Sequence, residues 1–162
     1  MPRYNDAHTR FMSVAILEAM DAFLEGEVPV GAVAVLGNEI IAAAHNQVEK
    51  LKDPTAHAEI LVLRKASAVL SNWRLSEVTV YVTLEPCMMC LGALVLARIT
   101  RLVYGATNIR MGFAEAFLDY DSGSYCFQEM DIIGGVLEDE CHELLQQFFV
   151  AARKRRGTEV WS

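Results

Sequence analysis

The chain has 162 residues, 53% of them hydrophobic and 22% charged, which suits one domain spanning 1–162 around a sizeable core. Even its apolar run from Val28 to Leu36 falls far short of the roughly 18 residues that a membrane span requires, so no membrane insertion is expected. A formal charge of −7 excludes a whole-molecule attraction to phosphate backbones and leaves any nucleic-acid contact to a local basic patch. The first ten residues lack the basic-then-apolar order of a secretory signal, which makes the cytoplasm the expected setting. In a reducing compartment the four cysteines point to metal ligation or burial rather than to a disulfide framework.

From Asp6 to about Glu25, Phe11, Val14, Ala15, Leu17 and Phe23 recur at helical spacing and predict an amphipathic helix. Residues 30–36 and 39–45 read as a β-hairpin turning at Gly37 and Asn38, with a fully buried first strand. Asp53, Pro54 and Thr55 carry helix-start chemistry, and the apolar residues Ile60, Leu61, Leu63 and Ala66 continue a second helix to about Leu70. Then come a β-rich segment from Val78 to Leu84, a helix-like CMMCLGALVLA, and a strand-like ITRLVYGA, an order that implies a parallel crossover within one sheet. Beyond Gly112 a mixed segment containing Asp119, Asp121, Ser122 and Gly123 has no clear periodicity, and a last helix is expected from about Glu138 to Lys154.

Two segments carry chemistry, TAHAEIL at 55–61 and TLEPCMMCL at 83–91. Cys87 and Cys90 are three apart at a predicted helix start, so they share a face, and the positive helix end favours their thiolates. His57 can project from its own helix start toward the same metal ion. Three protein ligands leave one coordination position for water, the arrangement of a catalytic rather than a structural zinc site, and bound zinc brings the water pKa from about 15.7 toward about 7. Glu59, two residues after His57, can face the same cavity and carry protons between that water and a leaving amine. Cys126, Cys141, His8, His45 and His142 are the remaining possible donors, and none sits at paired-ligand spacing.

The pairing of His57 and Glu59 with Pro86, Cys87 and Cys90 resembles the H-x-E and P-C-x-x-C signature of the cytidine and nucleobase deaminase superfamily. Further blocks are similar to the bacterial tRNA adenosine deaminase family: EVPVGAVAV at 27–35, Asn46, DPTAHAEILVLRKA at 53–66, NWRL at 72–75, YVTLEPC at 81–87 and GVLEDEC at 135–141. The resemblance implies a three-layer α/β/α sandwich with a mixed five-stranded sheet and helices on both faces. It also implies a homodimer with one Zn²⁺ per chain, acting on adenosine at the wobble position of a tRNA anticodon loop to give inosine. Carried over residue by residue, it assigns Asn46 to hydrogen bonding the base or ribose, Val30 to lining the pocket, and the backbone of Ala58 to meeting the base.

The likeness breaks after Tyr104. Where the family has an Asp, a Lys and then small residues ending in Gly and Ser, this chain has Asn108, Arg110, Gly112, Phe113, Ala114, Glu115 and Ala116. Of these, Phe113 is larger than the usual Ala and Glu115 adds a negative charge where Gly is usual; Phe127 and Gln128 stand where the family commonly has Asn and His. Arg153, Lys154, Arg155 and Arg156 form the one local basic run, readable as an RNA contact or as a solvated helix end that complements the helix dipole. Three functions therefore stand side by side: a tRNA adenosine deaminase, a deaminase of a free base or nucleoside of guanine or cytosine type, and a non-catalytic zinc-stabilised binding subunit. Glu59 opposes the last, because a structural zinc site has no use for an unliganded carboxylate beside the metal.

Overall fold

The computed structural model describes residues 6–112 and 130–157. Asp6–Leu24 is helix α1, whose buried side Phe11, Met12, Ala15, Ala19 and Ala22 lies against the sheet. Strands β1 (Gly31–Leu36) and β2 (Glu39–His45) form the expected hairpin, closed by a two-residue turn in which Gly37 adopts φ +63°. Its register slips between Ala34 and Val35, leaving Ile41 as an extra residue in a bulge. A Cβ at Gly31 would collide with the backbone of Ala15 and Ala19, so glycine is required where β1 meets α1.

The second half supplies β3 (Val78–Leu84), helix α4 (Met88–Leu96) and β4 (Arg101–Ala106), with β3 and β4 parallel as expected. A short strand β5 (Asp131–Ile133) pairs parallel with β4 and completes the order β2-β1-β3-β4-β5. Helix α3 (Ala58–Leu70) and α4 pack on each other, while α1 packs on the final helix α5 (Glu138–Gly157), giving a mixed sheet between helical layers. Val33, Val80, Val82, Leu102 and Val103 are fully buried, as continuous apolar strands covered on both faces must be. Among the described residues no helix is long and apolar enough to cross a membrane.

Three differences from the sequence expectation are informative. Asp53 and Thr55 do not open the second helix: Asp53 Oδ1 accepts from the Thr55 amide at 2.8 Å and from its hydroxyl at 2.7 Å, closing a turn. The helix starts at Ala58, with His57 as its N-cap. A four-residue helix α2 (Val48–Leu51) was not anticipated, and the fifth strand that the resemblance implies was not located along the chain, since neither α2 nor β5 is long enough to show a period. The departing positions Phe113, Ala114, Glu115 and Ala116, with Phe127, Gln128 and Cys126, lie outside the described residues.

Candidate active site

Topology brings the candidate residues to one edge of the sheet. Because β1 is antiparallel to both β2 and β3, its beginning lies beside the end of β2 and the end of β3. Val30 before β1, Asn46 after β2, and Glu85, Pro86 and Cys87 after β3 consequently emerge together, at the carboxyl edge of the parallel strands where open α/β sheets form their clefts. The Asn46 amide donates to the Val30 carbonyl at 3.0 Å, and the Gln47 amide to that of Ala56 at 3.0 Å, which ties the end of β2 to the start of α3.

His57 and Cys87 are both helix N-caps with extended backbones, and neither makes a side-chain capping hydrogen bond. Their side chains face each other instead. His57 Nδ1 stands 3.7 Å from Cys87 Sγ and 3.4 Å from Cys90 Sγ, and the three donor atoms lie within 4.8 Å of one another. Ligands about 2.3 Å (sulfur) and about 2.0 Å (nitrogen) from a tetrahedral zinc ion stand about 3.5 Å apart, a spacing that the two observed distances bracket. One imidazole and two thiols thus form a group that could hold a metal ion, and its donor chemistry fits zinc.

Electrostatics match. Hydrogen bonds from the Cys90 thiol and from His57 lower the Cys87 pKa to about 4. The same contact with Cys87, reinforced by burial, pushes the Cys90 thiol up, so the two sulfurs share one proton until something replaces it. His57 is raised by its hydrogen bond to Cys87. Glu59, in the first turn of α3, is 4% exposed, and burial lifts its carboxyl to about 7, where it can both take and return a proton at neutral pH.

The other expected site residues fall close by. Ala58 is the first residue of α3 and fully buried, Val30 is 8% exposed, and Asn46 is buried beside Glu27. The described alternative metal donors are engaged elsewhere. His8 Nδ1 hydrogen-bonds the Tyr81 hydroxyl at 2.8 Å, His142 pairs with Gln146, and Cys141 lies against Gly105, its thiol pushed up to about 12 by burial. His45 binds Glu18 and Glu25 and forms, with Glu18 and Asp21, a second cluster of possible donors.

Sequence reasoning missed Glu27 and Glu85, both buried carboxylates at this edge. Glu85 accepts from the Asn108 amide at 3.4 Å, and a Cβ at Gly112 would strike its carboxylate, so the loop after β4 is drawn against the metal-site loop. Glu85 left a signal, an acidic residue between the apolar Leu84 and Pro86, whereas Glu27 follows Glu25 and Gly26 and reads as part of a polar turn.

Residues 6–153 match the MafB19-like deaminase family. The chain is 43% identical over 146 residues to the tRNA-specific adenosine deaminase of Bacillus subtilis (strain 168), covering 90% of this chain and 91% of that protein. It is 45% identical over 141 residues to the enzyme of the same name from Agrobacterium fabrum (strain C58), covering 87% and 93%. A solved structure from a study of A-to-I editing by tRNA:A34 deaminases at the wobble position of transfer RNA superimposes with TM-score 0.79 at 42% identity, covering 84% of this chain and 99% of that one. The chain therefore belongs to the MafB19-like deaminase family and to the tRNA-specific adenosine deaminases.

Proposed function

We propose that this protein hydrolyses adenosine to inosine at the wobble position of a tRNA, releasing ammonia, through a single domain of residues 1–162. The observation that carries this reading is a buried Glu59 in the first turn of the helix that His57 caps, beside two thiols. His57, Cys87 and Cys90 would hold one zinc ion. When bound, zinc supplies a Lewis acid that makes water nucleophilic at neutral pH.

The remaining chemistry belongs to side chains of the chain itself. Glu59 accepts a proton from the attacking water, which adds to the ring carbon bearing the amine. It delivers that proton to the adjacent ring nitrogen, then takes the proton of the newly added hydroxyl and passes it to the amine, which leaves as ammonia as the carbonyl forms. Burial suits this cycle, since a carboxyl lifted toward neutrality holds and releases a proton with similar ease. Asn46 would hydrogen-bond the base or ribose, Val30 would line the pocket, and the Ala58 backbone would meet the base. These three are supported by their arrival at the same sheet edge.

The exposed basic side chains Arg153, Lys154, Arg155 and Arg156, which end α5, would give the anticodon loop local positive charge on a chain of net charge −7. A homodimer is supported by the apolar side chains that α4 leaves uncovered, Met88 and Leu96 among them, with Ile109 and Met111 in the loop after β4. The cytoplasm, which holds tRNA and keeps thiols reduced, is the setting proposed.

The test is ammonia release with mass analysis of product. Zinc-loaded protein is offered an anticodon stem-loop with adenosine at the wobble position, alongside adenine, guanine, cytosine and their nucleosides. Inosine in the stem-loop is the expected result. Turnover of a free base or nucleoside with an untouched stem-loop would overturn the RNA assignment in favour of small-molecule deamination.

A further inference from the structure

Glu27 is 1% exposed, and a carboxylate withdrawn so far from water persists only if N–H groups surround it. Three do. The Lys50 amide donates to Oε1 at 2.7 Å, the Glu49 amide to Oε2 at 3.2 Å, and the Asn46 side-chain Nδ2 to Oε2 at 3.4 Å. Glu49 and Lys50 lie in the first turn of α2, whose own N-cap, Gln47, makes no side-chain capping bond. Glu27 therefore caps a helix from some twenty residues upstream and grips the residue after β2 with the same carboxylate.

A carboxylate only accepts, whereas the Asn46 amide has a donating end and an accepting end. Its NH₂ end must face Glu27, so the carbonyl Oδ1 and the second N–H are turned to other partners. Flipping the amide would set oxygen against oxygen in a dry site, which is costly. We infer that Glu27 is a positioning residue that fixes the orientation of the Asn46 carboxamide and so decides which polar atoms the substrate meets. The inference rests on the reading in which Asn46 contacts the substrate.

The reach of Glu27 is set by the backbone beside it. Gly26 turns the chain with φ +79°, and Glu25 bonds His45 Nε2 at 3.1 Å, so the His45–Asn46 pair is braced on both sides of that turn. The Asn46 amide is in turn bonded to the Val30 carbonyl. Residues 25–30 and 45–46 thus hold one another in register.

A double-mutant cycle tests this on the zinc-loaded protein with the anticodon stem-loop. Glu27→Gln should lower kcat/KM about tenfold, the loss expected when a hydrogen bond to a charged group is removed, with zinc content unchanged. In an Asn46→Ala background the same substitution should matter by less than about twofold, because there is no amide left to orient. The reciprocal swap, Glu27→Gln with Asn46→Asp, places a donor opposite an acceptor again, at the loss of the Glu49 amide's acceptor, and should recover several-fold over Asn46→Asp alone. A Glu27→Gln loss of equal size in the Asn46→Ala background, or a swap no better than Asn46→Asp, overturns the inference.

Melting temperature supplies a readout independent of activity and of the folding of Glu27→Gln. Asn46→Asp sets a second carboxylate against Glu27 and should melt below Asn46→Ala. Equal melting temperatures would overturn the placement of Glu27 against this side chain. Wild-type protein that makes no inosine would sink the functional reading while leaving the melting comparison in force.

Discussion

His45 and His57 each stand among side chains able to bind a cation, and the two corners are built to opposite ends. His45 is held at both ring nitrogens, by Glu18 at 3.1 Å and by Glu25 at 3.1 Å, which spends its polar atoms on bracing α1 against the end of β2. His57 turns Nδ1 toward two sulfurs at 3.4 Å and 3.7 Å, at the starts of two helices whose dipoles favour thiolate. Three donor atoms within 4.8 Å occur in both places, so proximity alone does not make a metal centre. Donor softness and what already occupies the donors separate them: thiols with imidazole suit zinc, whereas carboxylates around an imidazole already satisfy one another.

The sharpest way to break this contrast is Cys87→Ala, which should abolish bound zinc and deamination together. Full zinc occupancy by metal analysis of that variant would show that the ligands lie elsewhere. Next in size is Glu59→Gln, expected to keep one zinc per chain and a folded protein while turnover falls by roughly 10²–10⁴-fold, the usual contribution of a positioned acid or base. Near-normal turnover would remove Glu59 from proton transfer. Smallest is His45→Ala, which should lower the melting temperature slightly, as the loss of partly exposed side-chain hydrogen bonds does, and leave zinc stoichiometry intact. Zinc loss there would show that the two corners are one site after all.

What the sequence made readable depended on the range over which each feature is encoded. The hairpin from Gly31 to His45 and the strands Val78–Leu84 and Arg101–Ala106 have their apolar pattern and turn residues within a few positions, and they stand where expected. The grouping of His57 with Cys87 and Cys90 was legible because each motif sits at the mouth of its own helix. Asp53 and Thr55 misled because turn and helix-start chemistry use the same side-chain oxygens, and here Asp53 closes a turn two residues before the cap. The role of Glu27 was illegible, since its partners come from the end of a strand and from a four-residue helix that no periodicity reveals.

The uncapped helix starts described for α3 and α4 have a cost and a use. Ser, Thr, Asp or Asn at such positions stabilises a helix by about 1 kcal/mol, yet His57 and Cys87 forgo that bond and face the metal group. Replacing either with a good capping residue would be expected to strengthen the metal-free chain while forfeiting zinc and the stabilisation that its binding supplies. A screen for heat resistance run on metal-stripped protein would therefore drift toward Asp or Ser at these two positions, erasing the catalyst while improving its scaffold.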